Sequence, residues 1–150
     1  MVIYFGADHR GFDLKGKLAK NLQDQGYEVV DLGDKERNED DDYVDFAAAV
    51  GAKVSADPDN GRGVVICGSG AGAAITANKF RRVRAAIGIS NDQVYDARQH
   101  DDLNVLALAA DFVSEEAARE MVRVFLTAPW NGGERYRRRL EKIGELEIGN

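Results

Sequence analysis

The chain has 150 residues, of which 44% are apolar and 31% are charged, and its formal net charge is −6. This length suits one domain with one sizeable core, and the composition is typical of globular proteins. The acidic balance argues against nucleic acid as the main partner, and no apolar run approaches the roughly 20 residues needed to cross a bilayer. We therefore expect a single domain over residues 1–150, with no membrane segment.

The first residues and the cysteine count indicate a compartment. Residues 1–8 have no basic segment and no long apolar one, so they are interpreted as a first strand, not a signal peptide. Cytoplasmic residence is the resulting expectation. The only cysteine, Cys67, has no partner for a disulfide and no CxxC motif for zinc. It is either a small buried apolar residue or a reactive thiol.

Short β-rich runs alternate along the chain with helical patterns. The predicted strands cover residues 2–5, 27–32, 63–67, 85–89 and 104–109. The predicted helices cover 11–25, 43–56 and 114–128, with others after Gly72, up to His100 and over about 130–146. Ser114 is the expected N-cap of the helix over 114–128. The alternation predicts an α/β domain of three layers, doubly wound around a five-stranded parallel sheet.

A glycine-rich loop follows the third predicted strand. The apolar run 64–66 leads into Cys67 and then into glycines at 68, 70 and 72. Glycine lets a backbone approach a ligand closely, and the helix expected next points free N–H groups at that ligand. The loop thus combines a thiol with hydrogen-bond donors for negative charge.

Parallel strands collect their carboxyl ends at one edge of the sheet, where ligands bind near the topological switch point. Asp8, His9 and Cys67 follow strands one and three, and Tyr43 opens the next helix at the same edge. His100 ends a helix of about ten residues, which carries it to the opposite edge. One subunit is therefore expected not to bring His100 to Cys67. A site using both would be shared across a two-fold dimer.

Several common motifs are absent. The segment 6–11 departs from the dinucleotide-binding G-x-G-x-x-G, the loop after Cys67 lacks Gly-Lys-Ser/Thr, and Ala73 replaces the arginine of a phosphatase-like C-x5-R. Asp31 is then interpreted as an ordinary strand-end residue. The acidic run 40–42 matches no standard metal site and is interpreted as a solvated loop.

A set of motifs spread over nearly the whole chain resembles the ribose-5-phosphate isomerase B family, which includes the galactose-6-phosphate isomerase subunits. The matching segments are 6–12 (Gly-Ala-Asp-His-Arg-Gly-Phe), 42–43, 67–72, 77–79, 98–100, 104–107 and 132–133, with Arg135 and Arg139. The resemblance implies a Rossmann-like homodimer, sometimes a tetramer, that interconverts an aldose phosphate and a ketose phosphate. It implies no metal and no organic cofactor.

The resemblance also implies roles for particular residues. Isomerisation moves a proton between C2 and C1 through a cis-enediolate, so it needs one base and donors for the charged oxygens. Cys67 corresponds to the base and Ser69 to a hydroxyl that relays a proton between O1 and O2. His100 corresponds to the residue that opens the furanose ring, working with Asp8.

The remaining implied residues bind substrate. The loop donors are the amides of Gly68, Gly70, Ala71 and Gly72. Arg135 and Arg139 lie four residues apart, share a helix face and grip the phosphate, with His9 as a further contact. Tyr43 and Asp101 complete the predicted site.

Each residue also has a structural interpretation. Cys67 alone would be core filler, Asp8 and His9 a helix-capping pair, Tyr43 a packing residue and the arginines a solvated helix face. The chain also departs from the family pattern at two positions. Asp101 stands where asparagine is common, and Asp111 replaces an arginine that assists with phosphate, so weaker phosphate binding is expected.

Smaller departures lie nearby, where Val44 replaces a proline and Glu134 adds one residue before the arginines. The sequence favours an isomerase of ribose 5-phosphate and ribulose 5-phosphate. The alternatives are an isomerase of another aldose phosphate, such as galactose 6-phosphate or a tetrose phosphate, and a non-catalytic phosphosugar sensor.

Overall fold

The computed structural model describes residues 1–148, which form alternating strands and helices. The strands are β1 (Val2–Ala7), β2 (Glu28–Asp31), β3 (Gly61–Cys67), β4 (Ala85–Ile87) and β5 (Val105–Ala109). The helices are α1 (Phe12–Asp24), α2 (Tyr43–Ala56), α3 (Ala71–Ala77), α4 (Asn91–Asp101), α5 (Glu115–Thr127) and α6 (Glu134–Ile148).

The five strands form one parallel sheet in the order β2-β1-β3-β5-β4. From β1 the chain moves outward to β2 and then returns to place β3 on the other side of β1. The carboxyl ends of β1 and β3 therefore flank the topological switch point. The predicted three-layer, doubly wound α/β fold is confirmed.

Alternate residues of the central strands face the two helical layers. Val64 and Ile66 of β3 belong to the apolar cluster beneath α1, α4 and α5, whereas Val65 and Cys67 belong to the cluster beneath α2 and α3. Each fully buried aliphatic side chain stabilises the fold by about 1.5–3 kcal/mol. The pattern aims the Cys67 thiol at the α2–α3 layer.

The α2–α3 layer packs closely on the sheet because its residues are small. Alanines make up much of both helices, and a Cβ on Gly63 of β3 would lie only 2.6 Å from Cγ1 of Val50. Helix α2 therefore packs directly on β1 and β3. This packing places the start of α2, with Tyr43, at the carboxyl edge.

Some strand ends in the structure differ from those predicted from the sequence. Ile89 was predicted in a strand but lies beyond β4 and is 79% exposed. The amide of Ile89 donates to the side chain of Gln93, in the first turn of α4. Gly61, which precedes the predicted strand over 63–67, pairs with Val2 as the first residue of β3. The predicted N-cap is confirmed, since Ser114 Oγ accepts from the amide of Ala117 at 3.1 Å.

No helix within residues 1–148 combines the length and the apolar character that a bilayer-spanning segment requires.

Candidate functional site

Cys67 ends β3 at the carboxyl edge of the sheet and is 4% exposed. It belongs to the same apolar cluster as Ala73 and Ala107. The backbone carbonyl of Cys67 accepts from the amide of Ala110 at 2.9 Å, which ties the end of β3 to the residue after β5. In the isolated protomer the Cys67 side chain is thus buried among small apolar side chains of α3 and β5.

The glycine loop turns sharply from β3 into α3. Gly70 has a φ of +75°, a left-handed conformation that favours glycine. Ser69 Oγ accepts from the amide of Ala71 at 3.3 Å, and the Gly70 carbonyl accepts the first helical bond, from Ala74. Within residues 1–148, the amides of Ser69, Gly70 and Gly72 donate to no protein acceptor. Of the predicted donors, the amides of Gly70 and Gly72 are therefore unoccupied by protein acceptors in the described residues, whereas the amide of Ala71 is engaged by Ser69.

Tyr43 lies directly against this loop. A Cβ built on Gly72 would overlap the Tyr43 ring and come within 2.8 Å of its hydroxyl oxygen. The Tyr43 side chain is also partly exposed, at 39%. The structure thus brings Tyr43 to the Cys67 loop, as predicted from its position at the start of α2.

Asp8 organises the turn between β1 and α1. It is 5% exposed, and its Oδ1 accepts from the amides of Arg10 at 3.0 Å and Gly11 at 3.1 Å. These bonds match the capping interpretation. The predicted role of Asp8 toward substrate stays a prediction.

His9 is held by an acidic residue from the loop after β2. Asp41 Oδ1 lies 2.7 Å from Nδ1 of His9 and accepts the His9 backbone amide at 3.1 Å. This hydrogen bond, together with the nearby carboxylates, raises the pKa of His9 above its ordinary value of 6.5 although burial opposes it. Because Nδ1 is engaged, Nε2 is the atom that remains to contact a ligand.

The interpretation of residues 40–42 as a solvated loop is wrong for Asp41, whose side chain is only 6% exposed. Asp40 and Asp42 are exposed, as expected. Sequence reasoning missed Asp41 because its carboxylate looks like its neighbours'. The available signal was the histidine at the same edge of the sheet, which could pair with one acid of the run.

A buried ion pair anchors the loop that carries Asp41. Lys15 of α1 is 2% exposed, and its Nζ donates to both carboxylate oxygens of Asp31 at 2.9 Å and to the carbonyl of Asp34 at 3.1 Å. Asp31 also accepts from the amide of Gly33. Asp31 is therefore more than an ordinary strand-end residue, since it fixes the start of the loop.

Sequence reasoning also missed a pair between Arg10 and Asp111. Nη2 of Arg10 lies 2.6 Å from Oδ2 of Asp111, and Nε of Arg10 donates to Oδ1 of Asp111 at 3.2 Å. The two residues follow β1 and β5 and meet beside Gly68. Asp111, noted in the sequence as the replacement of an arginine, is therefore itself paired with an arginine.

The other predicted site residues lie at the opposite edge of the sheet. In the β3–β5 register Cys67 is opposite Ala109, whereas the amino-terminal Val105 is opposite Gly63, about 13 Å away at ~3.3 Å per residue. His100 and Asp101 end α4, just before β5 begins. The expected separation of His100 from Cys67 within one protomer is therefore present.

The end of α4 is fixed by two arginines. Asp102, in a left-handed conformation, accepts from Arg98 at 2.8 Å and from Arg84 at 2.7 Å. The imidazole of His100 stacks on the ring of Tyr136 of α6, with centroids 4.8 Å apart. This stack attaches α6 to the His100 edge.

Arg135 and Arg139 lie on α6 and are exposed. They therefore accompany His100 and not Cys67. The predicted site residues fall into two groups, defined by edge. The carboxyl-edge group is Asp8, His9, Tyr43, Cys67, Gly68, Ser69, Gly70, Ala71 and Gly72, and the amino-edge group is His100, Asp101, Arg135 and Arg139.

No group of three or more His, Cys, Asp or Glu side chains within residues 1–148 is arranged to hold a metal ion.

Comparison with known proteins identifies the family. The model of the Ribose/Galactose Isomerase family matches residues 3–143. The chain belongs to this family. The family's probable ribose-5-phosphate isomerase B from Mycoplasma genitalium is 40% identical over 145 residues, covering 97% of this chain and 95% of that protein. The ribose-5-phosphate isomerase B of Escherichia coli is 39% identical over 145 residues, with the same coverage.

Solved structures agree with this membership of the Ribose/Galactose Isomerase family. The crystal structure of ribose-5-phosphate isomerase B from Mycoplasma genitalium with bound ribulose-5-phosphate superposes with a TM-score of 0.96 at 39% identity, covering 99% of this chain and 97% of that one. The Clostridium thermocellum ribose-5-phosphate isomerase B gives a TM-score of 0.94 at 40% identity, covering 99% of both chains. The resemblance drawn from the motifs is confirmed.

Proposed function

We propose that this chain is an aldose–ketose isomerase that interconverts ribose 5-phosphate and ribulose 5-phosphate. The observation that carries the proposal is the nearly complete match to the Mycoplasma genitalium ribose-5-phosphate isomerase B solved with bound ribulose-5-phosphate. Sequence identity of 39% at a TM-score of 0.96 means that the chain carries the same backbone framework around the loop 67–72.

In this proposal Cys67 is the base that moves a proton between C2 and C1. The thiolate takes the proton from C2, the electrons form the cis-enediolate, and the thiol returns the proton to C1. The backbone amides of the glycine loop hold the negative oxygens. Ser69, exposed at the loop, relays the hydroxyl proton between O1 and O2.

The second part of the proposal is a homodimer with shared sites. The carboxyl-edge group holds the base, whereas the amino-edge group holds His100 for ring opening and Arg135 and Arg139 for the phosphate. A two-fold axis that places the amino edge of one subunit on the carboxyl edge of its partner would complete two identical sites. We propose that the segment 130–146 packs at this interface, with Asp101 beside the sugar.

The exposed apolar side chains of α6 support an interface there. Ile143 is 42% exposed and Leu146 is 72% exposed, on a helix otherwise rich in charge. Apolar side chains grouped on one surface are typical of a face that another protein covers. Pairing of two such dimers into a tetramer would appear in the molar mass by light scattering.

The proposed chemistry involves no cofactor, since backbone amides and side chains supply the acid, the base and the charge stabilisation. The proposed partners are a sugar phosphate and a second copy of the chain, and neither nucleic acid nor a membrane. We place the protein in the cytoplasm, because a charged sugar phosphate does not cross a bilayer by itself.

The test is isomerisation in deuterium oxide. Metal-stripped protein is incubated with ribose 5-phosphate, and ketose formation is followed together with deuterium incorporation at C1 of the ketose and at C2 of the recovered aldose. We expect conversion with exchange, loss of both in Cys67→Ala with binding retained, and mainly weaker binding in Arg139→Ala. Full turnover by Cys67→Ala would contradict the assignment of the base.

Parallel incubations separate the alternatives. Galactose 6-phosphate and a tetrose phosphate are offered at equal concentration, and the highest kcat/KM identifies the substrate. Binding of ribose 5-phosphate without exchange or conversion would identify a sensor and overturn the proposed enzyme.

A further inference from the structure

The pair formed by Arg10 and Asp111 is built into the mouth of the glycine loop. The Arg10 guanidinium contacts both carboxylate oxygens of Asp111, at 2.6 and 3.2 Å. The backbone amide of Arg10 is fixed by Asp8, and the amide of Asp111 donates to the carbonyl of Gly68 at 3.0 Å. The amide of Asp8 in turn donates to the carbonyl of Ile66 at 3.3 Å, so both ends of the pair are tied to β3 or to the loop that follows it.

The pair lies within contact distance of the loop itself. A Cβ on Gly68 would be 2.8 Å from Oδ2 of Asp111 and 3.0 Å from both Cδ and Nε of Arg10. Only glycine at position 68 leaves space for the guanidinium there. His9, whose pKa is raised by Asp41, immediately precedes Arg10 in the chain.

The guanidinium keeps donors for a ligand. Arg10 is 56% exposed, and Asp111 engages its Nε and Nη2. Among residues 1–148, Nη1 has no hydrogen-bond partner. An arginine has five N–H donors, so three of them remain after the bidentate contact with Asp111.

Stability alone gives little reason for such a pair. Ion pairs at this exposure contribute about 0–1 kcal/mol because water screens them and ordering two side chains costs entropy. A dianion at the same mouth would be repelled by an unpaired carboxylate at position 111. Pairing with Arg10 neutralises that carboxylate and leaves a guanidinium facing solvent beside His9.

We propose that Arg10, positioned by Asp111, binds the phosphate group of the substrate. The proposal rests on the proposed function and adds a residue to its site. The arginine expected at position 111 is replaced by one at position 10, which reaches the same mouth from the end of β1, on the other side of β3. Asp111 then acts as a positioning residue and does not itself contact the phosphate.

The first test is Arg10→Ala. Loss of one charge-assisted hydrogen bond is expected to raise KM for ribose 5-phosphate by about tenfold or more while kcat changes by less than about threefold. The inhibition constant of inorganic phosphate is expected to rise in parallel. The control is Arg119→Ala, because Arg119 pairs with Glu115 at the same 2.6 Å distance and is 46% exposed, but lies on α5. It is expected to leave both values unchanged.

The second test exchanges the two residues. Arg10→Asp alone is expected to raise KM more than Arg10→Ala, since it places two carboxylates at the mouth. The double variant Arg10→Asp/Asp111→Arg returns a paired guanidinium to the same position and is expected to restore KM to within about threefold of the parent value. If the pair is only structural, Arg10→Asp leaves KM within about threefold of the parent value, and the double variant has no loss of KM to restore.

Binding of inorganic phosphate, measured by calorimetry, separates the two proposals. If the parent protein does not turn over ribose 5-phosphate, the proposed function fails, but the phosphate affinities of parent and Arg10→Ala still decide the role of Arg10. Equal affinities in the two proteins would overturn the inference. If the parent protein turns over ribose 5-phosphate and Arg10→Ala has the same KM, the inference about Arg10 is overturned as well.

Discussion

The rings of His100 and Tyr136 stack with their centroids 4.8 Å apart and their planes inclined by 8°. His100 ends α4 and Tyr136 belongs to the first turns of α6, so the stack joins the proposed ring-opening group to the helix of the proposed phosphate arginines. The stack acts together with hydrogen bonds that join Gln99 of α4 to Pro129 and Asn131, just before α6.

Replacing Tyr136 should therefore affect ring opening more than proton transfer. Tyr136→Ala is expected to lower kcat with ribose 5-phosphate, a furanose, by about tenfold because His100 is no longer held in place. With ribulose 5-phosphate, which is acyclic, kcat should change less. Tyr136→Phe retains the stacking ring and is the matched control. Equal losses in both directions would contradict a role in ring opening.

The pair between His9 and Asp41 predicts a pH dependence. Asp41 raises the pKa of His9, so the paired imidazolium stabilises the fold fully below the unfolded value near 6.5, and this contribution is lost as pH rises through the higher folded pKa. Asp41→Asn is expected to lower the pKa of His9. KM for ribose 5-phosphate should then increase near neutral pH, where a neutral imidazole attracts the phosphate less.

The pKa of His9 is measurable by NMR titration, because the chain has only two histidines and His100→Gln assigns their signals. Asp40→Asn is the control, since that carboxylate is exposed and one residue away. An unchanged His9 titration in Asp41→Asn would show that the pair does not set its protonation.

A third prediction concerns the shared site. Cys67→Ala and His100→Ala homodimers should each be inactive on ribose 5-phosphate. After mixed refolding, about half of the dimers are hybrids, and each hybrid has one site with an intact cysteine and an intact histidine. The mixture should therefore recover about a quarter of the parent activity. No recovery, with hybrids verified by mass spectrometry, would place both groups in one protomer.

The buried pair of Lys15 and Asp31 predicts a stability effect. Lys15→Met keeps the buried aliphatic chain but leaves Asp31, which is 29% exposed, without its cation. The free energy of unfolding should fall by about 3 kcal/mol. Urea denaturation at a fixed protein concentration measures it.

Lys20→Met is the control for this measurement, since Lys20 and Asp24 form a pair that is exposed on both sides. Its effect should be below about 0.5 kcal/mol. A comparable loss in both variants would mean that burial of Lys15 does not matter.

The expected weakness of phosphate binding illustrates where sequence reasoning stopped. Asp111 was correctly seen as a departure from the family pattern, but its partner was not. Arg10 is 101 positions away, and no periodicity or spacing connects two residues at that separation. Asp41 and His9 are 32 positions apart, and their pairing was missed for the same reason.

The amino-acid sequence by itself determined the alternation of strands and helices, the parallel sheet, the glycine loop after Cys67 and the family. These depend on local periodicity, on turn chemistry and on short motifs, all of which are written in consecutive residues. Only the tertiary structure decided that Asp41 holds His9, that Arg10 holds Asp111 and that Tyr136 stacks on His100. Such contacts form where separate loops and helices close on one another, and the geometry of that closure depends on the packing of the whole sheet.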